Sequence, residues 1–271
     1  MSNTSCTVAE NANTRTAKIR ALAEQLNDLT PSQLDWVVGV FRQFKLKPDI
    51  WLKPDSDIVS SCVGQMLGDA LQIHHCFSKE ALSKDRFEYA LQHALRQCGV
   101  EAELARRGNP GHDISIDGVP VSLKTQADKG IDREFLHISK FMELGKGKWK
   151  VKADLCGLRD RFFKHLKAYD RIFQLRRLTD TETVQEYELV EIPKDLLKKA
   201  ETGTFKMMMK SKQIPKPGTC TVKDEHGRKL FELYFDGGTE RKLQIRHLDK
   251  CRCVVHAVWK IRLVARESEQ D

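Results

Sequence analysis

The chain reads as an α/β protein of the α+β kind: a mixed central sheet flanked by helices, with an N-terminal helical annex and a β-rich C-terminal region. Three observations predict this. Apolar residues recur at helical spacing through the first third, short strands and helices alternate through the middle, and strand-like segments crowd the last third. At 271 residues the chain is long enough to bury a sizeable core and still carry additions around it.

The opening MSNTSCTVAENANTRTAK is polar and lacks the apolar stretch of an export signal. Residues 1–16 are therefore expected to form a flexible tail on a cytoplasmic protein. Residues 17–29 carry apolar positions at helical spacing, and Thr30-Pro31-Ser32-Gln33 joins a capping box to a proline at the first helical position, starting a helix over about 31–44. After the break KLKPDIWLKPDSD, a third helix over about 58–75 puts Val63, Met66, Leu67 and Ala70 on one face. The apolar stripes of this helical region, 17–82, are read as packing surface.

From Ser83 the pattern changes. A helix over 83–99 has Phe87, Ala90, Leu91, Ala94 and Leu95 on its buried side and ends at Gly99. Strands follow at 100–105, 112–116 and 119–125, the last two joined by the hairpin signal Asp117-Gly118. A helix is predicted over 132–144, ended by Gly145, then strands at 169–175 and 186–192. Residues 83–200 are thus the expected core. The region 201–271 opens with the lysine-rich connector TFKMMMKSKQIPKPGT, whose three methionines read as a pliable apolar patch, and continues in four strand candidates.

Charged residues make up 31% of the chain and hydrophobic ones 40%, a globular balance, and no apolar run nears the roughly 18 residues of a membrane span. The net charge of +8 favours a polyanionic partner, because each cation set against a phosphate releases condensed counterions. Eight cysteines without an export signal are expected to be reduced thiols. His247, Cys251, Cys253 and His256 raise a zinc site, but no CxxC knuckle is present and Cys251 and Cys253 would simply share one strand face.

The stretch that carries chemistry runs from Asn109 to Gln126, NPGHDISIDGVPVSLKTQ. Asp113 heads one hairpin strand and Lys124 lies near the far end of the next. Ser122, Lys124 and Gln126, two apart, share a face. Phosphodiester hydrolysis needs a carboxylate to hold a divalent metal, a polarised water and a cation near the developing charge. Asp113 and Lys124 are suited to the first and third roles.

This arrangement resembles the PD-(D/E)xK nuclease superfamily over about residues 83–175, and in size and elaboration it looks most like a type II restriction endonuclease. The resemblance implies a restriction-endonuclease-like core and a magnesium-dependent, sequence-specific endonuclease of double-stranded DNA, working as a homodimer in the bacterial cytoplasm. It makes Asp113 the metal-binding aspartate and Lys124 the catalytic lysine. Ser122 stands where the family's middle acid is expected, so Glu88, on the preceding helix, is the candidate for a second metal-binding carboxylate, with Ser122 completing the shell. Gln126 is a candidate to orient the water or touch a phosphate. A repair or nicking nuclease of the same superfamily, and a non-catalytic DNA-binding regulator with a decayed motif, are the alternatives.

Phosphate contacts are expected from Lys146, Lys148, Lys150 and Lys152, which alternate around Trp149, a candidate stacking surface, and from Lys206, Lys210, Lys212 and Lys216 in the connector. Arg241, Gln244 and Arg246 are the candidates for reading base edges.

Overall fold

The computed structural model describes residues 4–106, 108, 111–128 and 130–264, so Asn109 and Pro110 of the motif lie outside the described residues. Two units separate at Leu46 and Lys47. The first holds α1 (Thr4–Gln25) and α2 (Pro31–Lys45). Helix α1 begins within the segment expected to be a tail. The capping box of α2 is complete: the Gln33 N–H donates to Thr30 Oγ1 at 3.3 Å and the Thr30 N–H to Gln33 Oε1 at 2.9 Å.

The second unit runs β1 (Asp49–Leu52), α3 (Ser61–Phe77), α4 (Lys84–Gln97), β2 (Ala102–Leu104), β3 (Ile114–Ile116), β4 (Val119–Gln126), β5 (Phe135–Glu143), α5 (Asp154–Leu166), β6 (Arg171–Asp180), β7 (Val184–Glu191), α6 (Lys194–Lys198), β8 (Thr204–Met207), β9 (Gly218–Lys223), β10 (Lys229–Phe235), β11 (Lys242–Asp249) and β12 (Val254–Arg262). Seven strands form one sheet in the order β1-β12-β7-β6-β4-β3-β2, and five form a second, β5-β11-β10-β9-β8. The first sheet is mixed because β4 and β6 pair in parallel. A parallel pair needs a long crossover, and here the crossover contains β5 and α5. It delivers β5 to the second sheet, where β5 pairs with β11, while β12 returns to the first sheet between β1 and β7.

Two apolar clusters hold the layers. Val63, Leu67 and Leu71 of α3 and Phe87, Leu91 and Leu95 of α4 pack on Val121, Leu123, Phe173, Leu189 and Trp259 of the first sheet. On the other side Leu155, Leu158 and Phe162 of α5 lie with Ile172 and Val190 of the first sheet and Leu233, Phe235 and Ile245 of the second. Each such side chain, fully buried, contributes about 1.5–3 kcal/mol. The Asp117-Gly118 hairpin forms as expected, both residues having positive φ (47° and 77°), as a type I′ turn requires.

The expected helix over 132–144 is strand β5. Leu136, Ile138, Phe141 and Leu144 are buried, and the last three, spaced by three, imitate a helical face. The spacing arises from an irregular register: Leu243 and Ile245, two apart on β11, oppose Met142 and Ile138, four apart on β5. The core helix that follows is instead α5, whose Leu155, Leu158, Phe162 and Leu166 form its buried face. A second difference is covalent. Cys62 and Cys98, expected as thiols, form a disulfide between α3 and the end of α4, their Cα atoms 5.9 Å apart. The expectation came from the absence of an export signal, which says nothing about the proximity of two helices. Cys251 lies in a short 3-10 turn rather than on a strand, and His256 is held between Ser56 and Glu191.

Candidate active site

Asp113 immediately precedes β3, and its N–H donates to the Val121 carbonyl at 2.9 Å, which fixes it across from β4. Its Oδ2 accepts from the Leu123 N–H at 2.6 Å and from the Ser122 hydroxyl at 3.1 Å. Its Oδ1 accepts from Lys84 Nζ at 2.7 Å. Burial works to raise the Asp113 pKa, but Lys124, the Lys84 hydrogen bond and the Leu123 N–H outweigh it and hold the carboxyl below its ordinary range. Asp113 is therefore an oriented anion with one oxygen anchored in the hairpin.

Alternation along β4 puts Val121 and Leu123 into the α3/α4 cluster and Ser122, Lys124 and Gln126 on the opposite face. Lys124 is only 9% exposed. Its Nζ lies 5.6 Å from the Phe141 ring centroid. Burial pushes the ammonium down to about 8, although Asp113 acts to raise it. At neutral pH such a lysine is still mainly the charged ammonium, though more easily deprotonated than an exposed one.

Glu88, in the second turn of α4, ion-pairs with Lys84, the same ammonium that Asp113 holds. Two contacts to one nitrogen bring the two carboxylates within roughly 5–6 Å of each other. Lys84, Gly111, Asp113, Lys124, Phe141 and His165 are among the residues lining a cleft of about 670 Å³. Burial, then the charge of Lys124, pushes the His165 imidazole down to about 4, leaving it neutral in the cleft. The Tyr169 hydroxyl is buried with no hydrogen-bond partner among the described residues, and burial raises its pKa. Lys84, His165 and Tyr169 escaped the sequence reading. Lys84, in the first turn of α4, carries no pattern in the sequence, and His165 needed α5, whose stripe was not assigned.

Gln126 is placed elsewhere. Its Oε1 accepts from Arg176 Nε at 3.0 Å and from the His137 N–H at 3.3 Å, joining the two sheets beside the buried Arg176–Glu188 pair. Lys146, Lys148, Lys150 and Lys152 are exposed on the loop between β5 and α5. Trp149 is not a stacking surface: it is 3% exposed and its Nε1 donates to the Lys216 carbonyl at 2.7 Å. That bond sets the loop against the connector that carries the exposed Lys210 and Lys212, while Lys206 is exposed on β8. Arg241 Nη1 donates to the carbonyls of Lys146 and Gly147 at 2.7 and 2.9 Å, so Arg241 belongs to the same basic surface. Gln244, buried, and Arg246 follow on β11, where Arg246 Nε donates to Gln244 Oε1 at 2.9 Å and the guanidinium stacks 3.5 Å from the Tyr234 ring centroid.

Residues 22–261 match the SmaI family, described as type II site-specific deoxyribonuclease. The chain is also 48% identical over 208 residues to the type II restriction enzyme SmaI of Serratia marcescens, an alignment covering 76% of this chain and 83% of that enzyme. With the α+β core and its anchored aspartate and lysine, these matches define a type II site-specific deoxyribonuclease, an enzyme that cuts DNA at a particular sequence. The chain belongs to the SmaI family of these enzymes. The repair nuclease and the non-catalytic regulator are thereby set aside.

Proposed function

We propose that this endonuclease hydrolyses double-stranded DNA with magnesium at the cleft where Asp113 and Lys124 meet. One observation carries the reading: Asp113 and Glu88 converge on a single cation, the Lys84 ammonium, beside the buried Lys124. The donor set fits a hard ion. It offers carboxylate oxygens, and among the described residues no group of three or more His, Cys, Asp or Glu forms an all-protein metal cage. Two carboxylates suit an ion that keeps much of its water. When bound, magnesium polarises a phosphoryl oxygen and makes a bound water more acidic.

The chain's own residues do the rest. The Leu123 N–H and the Ser122 hydroxyl hold Oδ2 of Asp113, leaving Oδ1 directed to the shared cation position with Glu88. Ser122 acts through Asp113, as a positioning residue. The Lys124 ammonium stands where negative charge develops on the scissile phosphate. The lysines of the 146–152 loop and the connector position the DNA backbone. Gln244 and Arg246 contact base edges. The enzyme works in the bacterial cytoplasm as a homodimer, since two-fold symmetry in the protein matches two-fold symmetry in a palindromic site. Among the described residues no helix is long and apolar enough to cross a membrane.

Digestion of a long DNA tests the reading. Discrete fragments are expected with magnesium and none with EDTA, and cutting that persists in EDTA overturns the metal assignment. Sedimentation equilibrium tests the dimer.

A further inference from the structure

Lys84 occupies a position that helix physics does not favour. It follows the N-cap Ser83 in the first turn of α4, where the macrodipole disfavours a cation, and it precedes Glu88 by four residues, the poorer order for a lysine–glutamate pair. What holds it there is the pair of carboxylates. Its Nζ is 2.7 Å from Asp113 Oδ1 and in closer contact with Glu88. Two ammonium groups therefore bear on Asp113, and they differ in freedom. Both line the cleft, but Lys124 is buried, whereas the Lys84 side chain is 38% exposed. Lys84 is thus the ammonium nearer to solvent.

We propose that Lys84 is a resident counter-ion that holds the Asp113–Glu88 pair together in the metal-free enzyme and competes with the divalent ion for it, so that Lys84 sets the apparent metal affinity. This rests on the reading of Asp113 and Glu88 as the metal-binding pair. Two carboxylates brought together without a cation repel each other, and an ammonium between them removes that repulsion. The same charge opposes an arriving dication until the side chain swings toward solvent. Lys84 is thus a positioning residue whose influence shows in metal binding before any DNA is present.

The test is titration of the full-length protein with manganese without DNA, following free ion by electron paramagnetic resonance, together with melting temperature. Lys84→Met should bind manganese at least roughly fivefold more tightly than the unmodified enzyme. It should also melt lower without metal and gain more on metal addition. Lys84→Arg, which keeps the charge, should bind no tighter than the unmodified enzyme. Lys84→Gln gives the same reading if the methionine variant does not fold. Asp113→Asn separates the two levels. If it loses manganese binding while neither neutral Lys84 variant gains any, the counter-ion role is overturned and the metal pair stands. If Asp113→Asn binds manganese like the unmodified enzyme, the metal pair fails and the counter-ion role falls with it.

Discussion

The Ser122 hydroxyl donates to Oδ2 of Asp113 at 3.1 Å from a position with no solvent exposure. The residue at the position where the resemblance leads one to expect a second acid therefore donates a hydrogen bond to Asp113. Ser122→Ala should lower the cleavage rate by about ten- to a hundredfold without abolishing it, since a hydrogen bond to a charged group is worth about 1.5–3 kcal/mol and the Leu123 N–H still holds the carboxylate. Ser122→Glu should instead unfold the protein or lower its melting temperature steeply, because a second anion would be buried beside Asp113. Single-turnover rates and thermal melts measure the two. A glutamate variant as stable as the unmodified enzyme would mean that the site has room and solvent for another carboxylate.

Removing Asp113 or Lys124 should act on chemistry far more than on DNA binding. Asp113→Ala is expected to lower cleavage by on the order of 10³-fold or more, and Lys124→Met by about 10²–10³-fold. DNA affinity, measured in calcium, should stay within a few-fold. Activity of either variant near that of the unmodified enzyme would show that the cleft they share is not where the phosphate reacts.

Glu88 is expected to matter through the metal. Glu88→Gln removes one of two anionic oxygen sources, so the magnesium concentration for half-maximal rate should rise severalfold while the maximal rate changes less. An unchanged magnesium titration would return Glu88 to being a helix glutamate paired with Lys84.

How far the sequence disclosed this site depends on which elements build it. Asp113, Ser122 and Lys124 were legible because they lie on one hairpin, where a period of two and an Asp-Gly turn determine which side chains meet. Glu88 was raised as a candidate by the resemblance, and the structure sets it on the same Lys84 ammonium as Asp113. The opposite wall was not legible. Phe141 comes from β5, where an irregular register imitates helical spacing, and His165 comes from α5, brought in by the crossover between β4 and β6. Lys84 was invisible for another reason: a lysine in a first helical turn carries no pattern until the carboxylates around it are placed. Trp149 shows the converse error, since alternation with lysines suggested exposure, while long-range packing against the connector buries it.

His165 gives a pH signature with a definite sign. Its folded pKa, about 4, lies below the ordinary 6.5 because burial and Lys124 disfavour the imidazolium. The unfolded chain therefore binds more protons below pH 6.5. The stability that goes with neutral His165 is present above that pH and is lost as pH falls toward 4, by a few kcal/mol at most. His165→Gln should flatten the decline in melting temperature over this window relative to the unmodified enzyme. An imidazole titrating near 6.5 by NMR in the folded protein would contradict the burial argument.

The basic surfaces should divide into positioning and reading parts, with Arg241 expected among the former. Sequence type alone grouped Arg241 with Gln244 and Arg246 as base readers. In the structure Arg241 gives Nη1 to the carbonyls of Lys146 and Gly147, so it is expected to brace the lysine loop. Arg241→Ala is therefore expected to behave like the substitutions Lys146→Ala, Lys148→Ala, Lys150→Ala and Lys152→Ala. All should weaken every DNA sequence about equally, and a variant that no longer neutralises one phosphate should show a salt dependence flatter by roughly one unit. Gln244→Ala and Arg246→Ala should instead cost about 1–3 kcal/mol at one base pair and relax preference there. Arg246 stacks on Tyr234 and is oriented by Gln244, a preorganised guanidinium suited to a planar partner. Competition binding across single-base variants of the site, in calcium to suppress cleavage and at several salt concentrations, measures both signatures. If Arg241→Ala relaxes preference at a base pair while Arg246→Ala weakens all sequences alike, the brace and the reader have been assigned the wrong way round.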